Sequence, residues 1–235
     1  MTRAVSAPRR SIPDPRRAPI DQSAHGLVPV RPERLVPHAL RDRFRHPPDW
    51  TPEFIDDRWR LGGDPLRPAA VLVPLVMREA GVSVLLTERT AHLSSHAGQV
   101  AFPGGRTEQS DASPVATALR ETEEEIGLSR VHIEVLGQMP QYITGTAFSV
   151  TPVVGLVESD HRLTLDANEV AESFEVPLSF LMDPANHQRR LYRWEDGAER
   201  SFFAMPWQRP DDGREHFIWG VTAAMLRNLY RFLSA

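Results

Sequence analysis

The sequence predicts an α+β fold: a mixed central sheet with one helix in mid-chain and one at the C-terminal end. Three observations carry this. Two β-rich runs, Ala70–Met77 and Val82–Thr87, are separated by a short turn at Ala80–Gly81 and read as a hairpin. A helix from Pro114 to Ile126 is punctuated at both ends, by Pro114 in its first turn and by Gly127 just past its last. A final run places Val221, Met225, Leu229 and Phe232 at helical spacing, which predicts a helix over 221–233. Strands, a middle helix, further strands and a terminal helix call for a sheet with helices packed against it.

Proline sets the first boundary. Eleven of the 21 prolines fall within residues 1–65, so that stretch cannot carry long regular elements. We therefore expect a Pro/Arg-rich, partly disordered N-terminal arm over 1–65, with one short helix between Glu33 and Phe44, and a folded domain over 66–235. The arm is basic, with twelve arginines against eight acids in residues 1–60. Beyond the first hairpin, Gln99–Phe102 reads as an extended piece. Strands are expected at Ile133–Gly137, Phe148–Val157 and Phe174–Val176. A second hairpin, Leu191–Glu195 with Ser201–Ala204, turns around Asp196–Gly197.

Composition removes several chemistries. The chain has 235 residues with no cysteine, and all 27 basic residues are arginine. Disulfides, thiolate-held metals, thiol nucleophiles, Schiff-base lysines and the P-loop lysine are excluded. A net charge of −4 argues against a dedicated nucleic-acid partner. No apolar run reaches the roughly 18 residues of a membrane span, and no apolar segment follows Met1. A cytoplasmic protein acting on a small molecule, as a monomer or homodimer, is the expectation.

One segment concentrates charge. On the helix after Pro114, Glu121, Glu124 and Glu125 share a face at i, i+3 and i+4, turned away from a core stripe of Val115, Leu119, Thr122 and Ile126. Like charges at that spacing destabilise a helix, and these lie near the negative end of its dipole. Arg120 reaches Glu124 four residues on, but one guanidinium leaves negative charge in excess. A hard divalent cation such as Mg²⁺, which takes oxygen ligands, offsets the remainder.

The arrangement Gly105 … Asp111 … Arg120-Glu121-Thr122-Glu123-Glu124-Glu125-Ile126-Gly127-Leu128 resembles the Nudix box. It departs from the usual pattern by Asp111 in place of the first glutamate, by one inserted residue before Arg120, and by Thr122 at an apolar position. Just upstream, Leu85-Leu86-Thr87-x-Arg89 and Gly98 … Phe102-Pro103-Gly104-Gly105 resemble the added signature of the coenzyme A pyrophosphatase branch. Thr151–Gly155, Asn168–Ala171 and Ile218–Thr222 also resemble that branch, and Ser94 stands where an arginine is usual. The resemblance covers about residues 69–233 and leaves residues 1–60 untouched.

The resemblance implies an α/β/α sandwich and hydrolysis of the coenzyme A pyrophosphate bond with Mg²⁺ or Mn²⁺. It implies metal held by Glu121, Glu124, Glu125 and the Gly105 carbonyl, with Arg120 orienting the glutamates. Gly104 lets main chain approach a phosphate. Arg89 and His96 are candidates for phosphate contact, and Glu169 for a further metal ligand or base outside the box. Two alternatives stand beside this: a Nudix pyrophosphatase for ADP-ribose or NADH, and a catalytically silent nucleotide-binding module.

Overall fold

Which runs become strands, and which faces they bury, follows from alternation. The computed structural model describes residues 12–23, 26–53, 65–90 and 98–235. A short strand β1 (Ile20–Ser23) and a helix α1 (Pro37–Arg45) come first. The apolar run that follows is β2 (Arg67–Arg78), which returns as β3 (Gly81–Arg89). Arg78 lies opposite Gly81, so the turn falls at residues 79–80, one residue earlier than expected. Next come β4 (Val100–Ala101), β5 (Gly104–Arg106) and the middle helix α2 (Pro114–Ile126). The chain continues through β6 (Ile133–Gln138), β7 (Tyr142–Ile143), β8 (Phe148–Val157) and β9 (Val170–Pro177). It ends with the single turn α3 (Leu178–Leu181), then β10 (Gln188–Arg193), β11 (Glu199–Gln208), β12 (Glu215–Trp219) and helix α4 (Gly220–Ser234).

The central sheet runs β4-β3-β2-β8-β6, with β9 added on β3, β5 on β2 and β7 on β8. Strands β2 and β8 are parallel from Arg67↔Phe148 to Val76↔Val157, and every other pairing among the described residues is antiparallel. The sheet is therefore mixed, as expected. Both of its faces are covered, which is why β2 reads as a continuous apolar run. Val73, Leu75, Val84 and Leu86 point into the core that holds Leu226 and Leu229 of α4. Their neighbours Ala70, Leu72, Val76 and Leu85 join Ala118 and Ile126 of α2 on the other side. Successive side chains on opposite faces thus build the α/β/α layering.

A second, four-stranded sheet runs β1-β10-β11-β12. It contains the second expected hairpin, with Arg193 opposite Glu199. Strand β12 was not legible in the sequence. Parts of the N-terminal stretch also differ from a disordered arm. Ile12 and Ala18 are buried with Phe202, Ala204 and Phe217 of the second sheet, and Val30, Leu35 and Leu40 are buried in the main core. The short helix lies at Pro37–Arg45, later than Glu33, because Pro37 enforces a start there while Pro32–Arg34 makes a separate 3-10 turn. Prolines exclude long elements here, yet apolar residues between them still dock one at a time.

Candidate active site

Helix α2 is set locally. The Ser113 hydroxyl caps its start by accepting from the Ala116 N–H at 3.2 Å. Gly127, at φ +66°, closes its end by donating to the Glu123 carbonyl. Ile126 of the expected stripe is fully buried, and Val115 and Leu119 pack at the edge of the same core. Thr122, polar at an apolar position, is buried by donating to the Ala118 carbonyl at 2.6 Å.

The carboxylate face divides between strand and solvent. It is turned from the helix's own core stripe, and β5 covers Glu121 and Glu125 on its flank while Glu124 stays exposed. Glu125 is only 6% exposed, and its Oε2 accepts the Gly104 N–H at 3.0 Å. Helical spacing gives a direction from the helix axis; it does not say which strand lies there. Two glycines make this close approach possible. Gly104 has φ +148°, and a Cβ on it would meet the Ala70 carbonyl and the Val71 Cα at 2.5 Å. A Cβ on Gly105 would run into the Glu121 carboxylate.

Burial dominates the electrostatics. It pushes the Glu125 carboxyl up to about 7, aided by the nearby Glu169 and Glu121 and opposed by the Gly104 N–H and Arg89. Burial also raises Glu121, against the attraction of Arg120. Arg120 sits at the centre of the cluster. It donates to both oxygens of Asp111 at 3.0 and 2.9 Å, to Glu124 at 2.8 Å and to the Arg106 carbonyl at 3.0 Å, and it lies 3.0 Å from Glu121. That guanidinium, with the Glu108 N–H, holds Asp111 well below the usual carboxylate range. Asp111 is thus the anchor of Arg120, a role that the sequence spacing left open.

The other candidates divide. Arg89, at the end of β3, lies 3.6 Å from Glu125 and 3.9 Å from Glu169. Pairing of β3 with β9 and a bond from the Thr90 N–H to the Glu169 carbonyl bring Glu169 to this place. Glu124 is exposed and turned to Arg120. His96 lies outside the described residues. Sequence reasoning missed a cleft of about 450 Å³ alongside Gly104 and Gly105, walled by Phe148 of β8, Trp219 of β12 and Met225 of α4. No local signal marks it, since its walls come from both sheets.

Glu121, Glu124, Glu125 and the Gly105 carbonyl offer oxygen atoms only, and keeping the Glu125 anion buried without full pairing is costly. The set fits a hard divalent cation. Among the described residues no helix is long and apolar enough to cross a membrane.

The NUDIX domain model matches residues 66–196. A Citrobacter koseri protein described as an uncharacterized Nudix hydrolase NudL is 41% identical over 175 residues, covering 73% of this chain and 86% of the relative. Its namesake in Escherichia coli (strain K12 / DH10B) is 40% identical over 164 residues, covering 69% and 81%. Among solved structures, a Nudix hydrolase from M. smegmatis, RenU, is 26% identical with a TM-score of 0.41, covering 48% of this chain and 71% of its own. The family model spans more than half of the sequence, and the two bacterial relatives are similar over most of their length. The chain belongs to the Nudix hydrolase family.

Proposed function

We propose that this chain hydrolyses the pyrophosphate bond of coenzyme A or its derivatives, with Mg²⁺ or Mn²⁺. The products are 4′-phosphopantetheine, or its acyl form, and adenosine 3′,5′-bisphosphate. The observation that carries this reading is the seating of Gly104–Gly105 against Glu121 and Glu125, with Arg89 beside them. Main-chain donors, carboxylates and a guanidinium meet at one point, as an anionic substrate that binds together with a cation requires. The choice of coenzyme A is supported by the segments Leu85–Arg89 and Gly98–Gly105, which lead into that point.

In this reading Glu121, Glu124, Glu125 and the Gly105 carbonyl hold the cation. When bound, the cation offsets the diphosphate charge, acidifies a water and stabilises the leaving phosphate oxygen. Arg120, pinned by Asp111, keeps Glu121 and Glu124 oriented. Arg89 exchanges its loose contacts with Glu125 and Glu169 for a two-pronged contact with a substrate phosphate. Gly104 allows the diphosphate to approach the main chain. Glu169, with its side chain 47% exposed, is open enough to take the proton of the attacking water or to add a ligand. His96 is retained as a further phosphate contact.

A substrate panel with Mg²⁺ tests this. Coenzyme A or its thioesters should exceed ADP-ribose and NADH by about ten-fold or more in kcat/KM. The reverse order would reassign the substrate within the family. Binding of these nucleotides without turnover would leave a silent module.

A further inference from the structure

The cleft beside Gly104–Gly105 has an uneven composition. Its described lining residues include three arginines, Arg89, Arg106 and Arg200, and no aspartate or glutamate. The remainder is largely apolar, including Phe148, Trp219 and Met225. The three cations differ in their surroundings. Arg89 faces Glu125 and Glu169. Arg106 lies at the end of β5, where its carbonyl accepts from Arg120. Arg200 comes from β11 of the second sheet; it lies beyond the matched family region, and so do Trp219 of β12 and Met225 of α4.

A wall of this kind fits a ligand with an apolar or aromatic body and an anionic group besides the diphosphate. At about 450 Å³ the cleft has room for one half of a dinucleotide-sized molecule. Guanidinium groups suit phosphate because their planar fork matches its oxygens. We propose that Arg200 recognises a phosphate monoester on the half of the substrate that lies against Trp219 and Met225. The inference rests on the reading of a diphosphate-linked substrate given above; in coenzyme A this group is the 3′-phosphate. Arg200 is then a specificity residue, remote from bond cleavage, and the second sheet supplies discrimination while α2 supplies chemistry.

Two pairs of compounds that differ by this one phosphate test the idea on the full chain with Mg²⁺. Calorimetry compares adenosine 3′,5′-bisphosphate with AMP, and kinetics compare coenzyme A with 3′-dephospho-coenzyme A. The wild type should favour the phosphorylated member of each pair by on the order of ten-fold. Arg200→Gln should remove that preference, raising KM for coenzyme A with kcat kept and leaving AMP and the dephospho compound unchanged. Arg200→Lys, which keeps charge and loses the fork, should fall between, and it serves if Arg200→Gln lowers Tm. Equal losses on both members of a pair, or no preference in the wild type, overturn the proposal. If neither coenzyme A compound turns over, the substrate reading fails, and the calorimetric pair still decides the role of Arg200.

Discussion

Glu125 is a carboxylate in a place that disfavours charge, buried under β5 with Glu121 and Glu169 nearby. Glu125→Gln removes the charge and keeps the shape. We expect activity to fall by about 10²-fold or more. Tm measured without divalent cations should stay the same or rise, because the neutral amide escapes the desolvation cost. Near-normal activity would remove this residue from the proposed metal site. The spacing of Glu121, Glu124 and Glu125 was legible because helix geometry is local, and so was the reach of Arg120 to Glu124. The pairing of Arg120 with Asp111 was not, since it needs a loop to fold back across nine residues.

At the scale of elements, β5 and α2 act as one unit, and their two glycines have separable jobs. Gly104→Ala meets main chain at Ala70 and Val71, so something in the sheet must shift. It should lower stability by about 1–3 kcal/mol in urea unfolding. Gly105→Ala first meets the end of a side chain, the Glu121 carboxylate. It should displace that carboxylate, cutting kcat by about ten-fold or more with a smaller change in stability. Identical effects of the two substitutions on both readouts would contradict this division. The hairpin β2–β3, strand β8 and helices α2 and α4 were legible because each repeats its period long enough to be read. Strands β5, β7 and β12 were not. They are short, and their partners lie elsewhere in the chain.

Across the whole molecule, the N-terminal stretch is held by polar contacts to buried groups as well as by apolar packing. The Glu53 carboxylate accepts from Arg227 of α4 at 2.7 Å. Arg227 in turn donates to His187 Nδ1 at 3.1 Å, while His187 Nε2–H donates to the Leu181 carbonyl at 2.7 Å. Both ring nitrogens are used in the neutral form. Burial, with Arg227 adding to it and Asp183 and Glu53 opposing, lowers the His187 pKa to about 4. The unfolded chain binds this proton below about pH 6.5, whereas the folded one resists it until about pH 4. Stability should therefore fall as pH drops through that window, by up to about 3 kcal/mol from this group. Urea midpoints at pH 7.5 and 4.5 for the wild type and His187→Gln measure it, and an equal fall in both would refute it. Prolines and charge identified where long elements stop. They said nothing of whether single residues such as Ile12 or Leu40 find a core, because that depends on distant surfaces.

The pairing of β1 with β10 has a consequence for how the protein is made. Arg190 donates to the Ala18 carbonyl, 172 residues away in sequence. During synthesis β1 must wait for β10 before it has a place to bind. The carboxylate helix and its glycine strand lie within the middle of the chain and need no such wait. A nascent chain thus acquires the carboxylate helix and glycine strand before it acquires the wall formed by Ile12, Arg200 and Trp219. If Arg200 reads the substrate as proposed, discrimination is completed later than the carboxylate helix.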